Sequence, residues 1–106
     1  MTIRTTTRNA TMIARAIKGN ESFTTSGALK GDANPTWVDP GRMSDRDSAA
    51  MRTAHDLIGI DFVVYSYATP IAYRTQDGNW TIPDAKYSVT TSKHQSVVSY
   101  AVRIAS

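Results

Sequence analysis

Apolar residues recur at every third or fourth position in two stretches of the first sixty residues, and this spacing predicts two helices. Asn9 can cap a helix over residues 10–18, because its side chain can accept a hydrogen bond from a free amide of the first turn, and Gly19 can end it. Ser44, followed by aspartates that complement the helix dipole, predicts a second helix over residues 45–58. Each helix has one apolar stripe, so each should lie against another layer.

After Gly59 the pattern becomes that of strands. Two segments, residues 60–67 and 71–75, are rich in β-branched and aromatic side chains. An Asp-Gly-Asn turn at residues 77–79 is typical of a hairpin and leads into a third segment that begins at Trp80. These features predict consecutive antiparallel strands.

Two prolines mark interruptions in this predicted sheet. Pro70 has no amide hydrogen to give to a neighbouring strand, so its strand should lie at an edge or bend there. Pro83-Asp84 predicts another turn, followed by a strand over residues 86–91. The sheet should therefore contain three or four short antiparallel strands between about residues 62 and 90.

The tail from Ser92 fits two structures. As a helix over residues 92–104, it places His94, Val98 and Ala101 on one apolar face, whereas as a strand it alternates apolar and polar residues. The hydroxyl groups just before Lys93 are helix-capping residues, and the segment is longer than a usual strand. The helix is therefore favoured.

The segment over residues 21–42 holds three glycines and two prolines and is predicted to be a long internal loop. A chain of 106 residues can bury one modest core, so residues 1–106 should form a single domain. The predicted fold class is α+β, with a three- or four-stranded antiparallel sheet covered on one face by helices near residues 10–18, 45–58 and 92–104.

The composition bears on disulfides, metal sites and membrane-spanning segments. There is no cysteine, so a disulfide framework and a thiolate metal site are excluded. No stretch approaches the roughly 20 apolar residues that cross a bilayer, and the N-terminus lacks the apolar run of a secretory signal. We therefore expect a soluble cytoplasmic protein, either a monomer or a homodimer, that does not bind a membrane.

The net charge of +3 is unevenly distributed: residues 1–20 carry +4, and residues 21–61 carry −3. A basic N-terminal arm can contact phosphates, although four charges are more often a solvated helix face. The candidate residues for binding nucleic acid are Arg4, Arg8, Arg15, Lys86 and Lys93.

A different class of function is protein binding. Trp37 lies in the polar loop, where a large aromatic side chain is a good interface candidate. The predicted interaction surface consists of Trp37, Leu29 and Arg42. We place this hypothesis ahead of nucleic-acid binding.

Enzymatic chemistry finds little support in the sequence. The block from Tyr65 to Gln95 is rich in hydroxyl groups, but the chain holds no cofactor-binding loop, nucleophile motif or metal-ligand cluster, and only two histidines. His94 is better explained as a core residue bonded to a backbone carbonyl than as a catalytic base. The tyrosines at positions 65, 67 and 87 could form either a stacking platform or a packed cluster. We expect no catalytic residue, cofactor or metal.

Several motifs resemble a family of small uncharacterised proteins encoded by phages of actinobacteria and by prophages of their hosts. They are YSYATPIA over residues 65–72, YSVTTSKHQ over residues 87–95, TTTRNATMIARAI near the N-terminus and FTTSGAL after it. The resemblance covers most of the chain apart from the middle loop and the helix after it. It implies a phage or prophage origin and a dispensable accessory role, and it assigns no catalytic residues. Under the protein-binding hypothesis, we expect the partner to be a host or phage protein and the effect to be on host growth.

Overall fold

The computed structural model describes residues 2–84 and 89–105. Within these ranges the chain forms three helices and six strands, which confirms the α+β class. In chain order the elements are β1 (Ile3–Thr5), α1 (Ala10–Lys18), β2 (Phe23–Thr25), β3 (Leu29–Ala33), α2 (Asp45–Leu57), β4 (Ile60–Ser66), β5 (Thr69–Thr75), β6 (Trp80–Thr81) and α3 (Val89–Ala105). No helix of the described ranges is long and apolar enough to cross a membrane.

The six strands form one mixed sheet whose spatial order follows the chain from β1 to β6. β1 and β2 pair in parallel, with Ile3 beside Phe23, and the other neighbours are antiparallel. A parallel pair needs a crossover, and α1 provides it. The predicted sheet of three or four antiparallel strands was therefore too small and lacked the parallel pair.

The predicted loop over residues 21–42 was wrong in its first half, which contains β2 and β3. Gly31 lies in the middle of β3, between Phe23 and Val64 in the strand register. A Cβ added at Gly31 would lie within 2.9 Å of the Phe62 ring and still closer to the Phe23 ring. Here glycine leaves room for two packed aromatic rings, although in the sequence it signals a turn.

Both faces of the sheet are covered, which corrects the prediction of a single covered face. One core cluster lies between the sheet and the two helices α1 and α3, and includes Phe62, Val64 and Ala72. The other lies under α2 and the segment before it, and includes Val63 and Tyr73. Successive residues of a strand point to opposite faces, and residues 62–66 are all buried, so the sheet needs cover on both sides.

The helix predictions were largely correct. Asn9 caps α1 by accepting a hydrogen bond from the amide of Met12 at 3.1 Å, and Ser44 caps α2 in the same way through the amide of Asp47. The tail forms a helix, and α3 begins at Val89. The strand predicted over residues 86–91 was therefore wrong from Val89 onward, and residues 86–88 lie outside the described ranges.

The turn between β4 and β5 is built from two residues with left-handed backbone conformations, Tyr67 (φ 51°) and Ala68 (φ 66°). Hairpin turns of this kind normally use Asn or Gly. β5 begins directly after this turn. The pairing register of β4 with β5 shifts between Val64 and Tyr65, and Tyr65 lies opposite Pro70. β6 pairs only with Tyr73 and Arg74, so the far side of Pro70 has no strand partner in the described sheet. β5 as a whole lies between β4 and β6, so the predicted edge strand is wrong, and the irregularity expected at Pro70 is found as the register shift.

A polar network fixes the end of α1 against the sheet. The guanidinium of Arg74 donates to the Asp61 carboxylate at 2.7 Å, to the Ile17 carbonyl at 3.3 Å and to the Asn20 side chain at 2.9 Å. It also lies over the Phe62 ring, 5.8 Å from its centroid. One side chain thus joins α1, β4 and β5.

Candidate functional site

An open groove of about 200 Å³ lies between α2 and the segment that precedes it. Its floor is apolar, since Met51 and Val38 are both buried members of the core cluster under α2. The Trp37 side chain is 70% exposed at its rim. The lining residues are Trp37, Val38, Pro40, Ser48, Met51, Arg52, His55 and Asp56.

One side of α2 forms the first wall of this groove. Ser48, Arg52 and Asp56 follow one another at four-residue spacing, so their side chains lie along one stripe of the helix surface. Met51 is the one buried residue of α2, and Leu57, the last residue of this helix, is 79% exposed. α2 therefore contacts the core through a narrow strip and leaves most of its surface open to solvent.

The second wall is the segment from Trp37 to Pro40, held in place by contacts on both sides. Val38 and Met43 are buried in the core beneath it. Gly41 adopts a left-handed conformation (φ 54°) against the backbone of Ala68, where a Cβ would clash, and its amide donates to the Asp39 side chain at 2.9 Å. The anchored neighbours fix the backbone of Trp37, while its ring remains in solvent.

The polar groups of the groove are mostly hydrogen-bond donors. His55 Nδ1 accepts a hydrogen bond from the Ile60 amide at 3.3 Å, so the neutral ring carries its proton on Nε2. Arg52 and Asp56 are one turn apart on α2, yet neither belongs to an ion pair among the described residues. Both charges are thus available to a bound molecule.

Of the three predicted interaction residues, the structure places one at the groove. Trp37 is exposed there, and Arg42 is exposed five residues later, outside the lining. Leu29 has no exposed surface, because it lies in the core between the sheet and helices α1 and α3. A partner of the folded chain cannot reach it, so its assignment to an interaction surface was wrong.

The predicted nucleic-acid residues that the structure describes are exposed, and they lie on both sides of the sheet. Ile3 packs against the core under α1, so Arg4, its neighbour in β1, points to the opposite face of the sheet. Arg15 is exposed on the outer side of α1, Arg8 is exposed before that helix, and Lys93 is exposed on α3. Lys86 lies outside the described residues.

His94 belongs to a buried hydroxyl cluster. A 2.8 Å hydrogen bond joins its Nδ1 to Ser66 Oγ, and Ser66 Oγ lies 3.3 Å from Thr91 Oγ1. The prediction of a core histidine is confirmed, but its partner is a serine hydroxyl and not the predicted backbone carbonyl. Burial lowers the pKa of His94, which favours the neutral imidazole.

The Ser66–His94 pair combines the residue types of a nucleophile and its base, but it lacks access to a substrate. Both side chains are buried, and neither lines the groove beside α2. The Tyr67 ring stacks on the imidazole with the two centroids 6.3 Å apart. We interpret the cluster as core packing with satisfied polar groups.

The tyrosines do not form a stacking platform among the described residues. Tyr65 is buried beneath Lys30, whose Nζ lies 5.3 Å from the ring centroid. Burial raises the pKa of Tyr65, whereas a hydrogen bond with the Asp39 backbone opposes this rise, and the negative charges of Asp32 and Asp39 add smaller increases. Tyr67 lies in the turn and therefore does not share a strand face with Tyr65. Tyr87 is outside the described ranges.

Serine hydroxyls line a second, shallower depression of about 420 Å³ beside α3. The lining includes Ser92, Ser96 and Ser99, and Ser96 Oγ donates to the Ser92 carbonyl at 3.2 Å. A hydroxyl group that donates to a carbonyl of its own helix does not use that hydrogen to orient a ligand. Across the described residues, no group of three His, Asp or Glu side chains could hold a metal ion.

Sequence reasoning missed the α2 wall of the groove. His55 and Asp56 are neighbours in sequence, and adjacent side chains diverge on a helix, so the pair alone does not indicate a shared site. The available signal was the three- and four-residue spacing of Ser48, Arg52 and His55, which places polar side chains on one side of the predicted helix. That spacing cannot show that a preceding loop supplies an opposite wall.

The fold and the groove define a small α+β protein with a mixed six-stranded sheet in the described residues and one exposed tryptophan beside an apolar groove. The chain belongs to a family of unknown function, DUF8033, whose family model matches residues 1–103. This confirms the resemblance to an uncharacterised family, and the phage origin stays a prediction. Comparison with curated proteins and with solved structures gave no match.

Proposed function

We propose that this protein is a non-enzymatic accessory protein that binds another protein through the groove between α2 and Trp37. The observation that supports the proposal is a tryptophan side chain, 70% exposed, on an anchored backbone beside an apolar floor. Tryptophan is among the residues that contribute most to protein interfaces when a partner covers them. In a phage or prophage setting, the partner is a host or phage protein in the host cytoplasm, and binding modulates host growth.

The size of the groove supports a protein partner over a cofactor. Small-molecule sites usually enclose about 300–1,000 Å³, whereas this groove offers about 200 Å³ and is open to solvent. A volume of this size accepts one anchoring side chain of a larger partner. The exposed surface of α2 extends the contact area beyond the groove itself.

Affinity capture with matched variants tests this proposal. We expect Trp37→Ala to lose partner proteins that the unmodified chain retains from an actinobacterial lysate, because the variant removes the anchoring ring at the rim. Tyr100→Ala is the control, since Tyr100 is 54% exposed on α3, which packs on the opposite face of the sheet. If both variants retain the same proteins as the unmodified chain, the groove is not the interaction site.

A further inference from the structure

The hydrogen-bonding groups of the groove define what its ligand must offer. Donors come from the Arg52 guanidinium, the His55 Nε2–H and the Trp37 indole N–H, and the Ser48 hydroxyl can also donate. The one lining carboxylate, Asp56, only accepts. A ligand that satisfies this set carries acceptors, and a negative charge suits Arg52 best.

The donors lie next to the apolar floor. Arg52 and His55 are three residues apart on α2, so they are neighbours on its surface. Met51 lies one turn from His55 and lines the same groove. The arrangement therefore suits a molecule in which a carboxylate and an apolar group are separated by very few bonds. The groove volume of about 200 Å³ limits that molecule to roughly one residue.

We propose that the groove binds the C-terminal residue of a partner chain, with an apolar side chain on Met51 and Val38 and the α-carboxylate on Arg52 and His55. A chain terminus places a carboxylate one bond from the Cα that bears the side chain, and the donors and the apolar floor line the same small groove. This inference rests on the proposed function, because it names the part of the partner that occupies the same groove.

Asp56 gives the proposal a second, independent consequence. Its carboxylate lies one turn from Arg52 and faces the same groove, so it repels a bound anion. Removing the charge should strengthen binding, whereas removing the Arg52 charge should weaken it. If the groove recognised only an apolar side chain, neither change would alter its affinity for the ligand.

The first experiment is a titration of the isotope-labelled full chain with three peptides, followed by backbone amide chemical shifts. The peptides are acetyl-glycyl-seryl-leucine with a free carboxylate, the same peptide with an amidated end, and an amidated peptide with aspartate in place of serine. We expect the free acid to shift amides of residues 37–56 with a Kd of about 1 mM, and both amidated peptides to bind at least about tenfold more weakly.

Three outcomes of the titration overturn the inference. Equal binding of the acid and the first amide shows that the carboxylate is not recognised. Equal binding of the acid and the aspartate peptide shows that a side-chain carboxylate serves as well as a chain end. Failure of the acid to shift the groove residues at about tenfold the expected Kd shows that the groove does not take a chain end.

Variants of α2 provide the matched controls. We expect Arg52→Gln to weaken binding of the free acid at least about tenfold, Asp56→Asn to strengthen it severalfold, and Arg46→Gln to leave it unchanged. Arg46 is the control because it is an exposed arginine of the same helix outside the groove. All three side chains are exposed, so none of the variants removes core packing. Equal binding by Arg52→Gln and Arg46→Gln would contradict the assigned carboxylate contact.

The inference and the proposed function fail in different ways. If Trp37→Ala loses captured proteins while the free acid does not bind, the groove is an interaction site for another kind of segment. If the free acid binds as expected but Trp37→Ala retains every captured protein, the groove recognises chain ends and the captured proteins bind elsewhere.

Discussion

His94 shows how a titratable side chain is held in the core without an opposite charge. Its Nδ1 is bonded to the Ser66 hydroxyl, and its ring is covered by Tyr67. No carboxylate of the described residues contacts it, and burial lowers its pKa. A neutral ring is therefore the stable form in the folded chain, which makes folding sensitive to pH.

We expect the free energy of unfolding to fall as the pH drops from about 7.5 to about 5. Because the pKa of His94 is lower in the folded chain, the unfolded chain takes up the proton first as the pH passes below about 6.5, and this favours unfolding. Urea titrations of the unmodified chain and of His94→Gln measure the effect. The variant should show a weaker pH dependence, and equal slopes would contradict the account.

Gly31 is the residue at which packing requires the absence of a side chain. We expect Gly31→Ala to lower the free energy of unfolding by about 1–3 kcal/mol, because its Cβ meets the Phe23 and Phe62 rings. Gly19→Ala is the control: Gly19 has φ −84°, and its nearest neighbour would be 3.4 Å from the new Cβ. The control should change stability by less than about 1 kcal/mol. A Gly31→Ala variant as stable as the control would show that the rings move aside without cost.

At the scale of the elements, the contacts of Arg74 determine how firmly α1 is attached to the sheet. We expect Arg74→Lys to cost about 1.5–3 kcal/mol, because one ammonium cannot reach the Asp61, Ile17 and Asn20 acceptors together. Denaturant unfolding measures the loss. Arg46→Lys is the control, since its side chain is 87% exposed in the Arg46–Asp47 pair, and it should cost less than about 0.5 kcal/mol. Similar losses in both variants would show that the network does not stabilise the fold.

The helices could be predicted from the sequence more easily than the N-terminal strands, because helix signals are local and strand pairing is not. The capping side chain of Asn9 and the apolar stripe of α1 are local features, so a short window contains them. β2 and β3 have three and five residues, and pairing with β1 and β4 defines them. In the sequence Gly31 is typical of a turn. Its real role depends on the rings of Phe23, on another strand, and of Phe62, which is distant in the sequence.

At the scale of the whole molecule, the candidate site depends on how the layers come together. Trp37 could be identified from sequence as an exposed aromatic residue in a polar segment. Its partner wall on α2 could not, because α2 was expected to share a face of the sheet with the other helices. The groove exists because α2 lies on the opposite face, beside the segment that carries Trp37.

The most direct test of the account is hydrogen–deuterium exchange of the full chain, alone and bound to a partner retained in the capture experiment. A partner in the groove covers Trp37 and one side of α2 while leaving the opposite face of the sheet free. We predict slower exchange for amides within residues 34–57 and unchanged exchange in α1 and α3. Slower exchange confined to α1, β1 or α3 would contradict the assignment of the groove as the binding site.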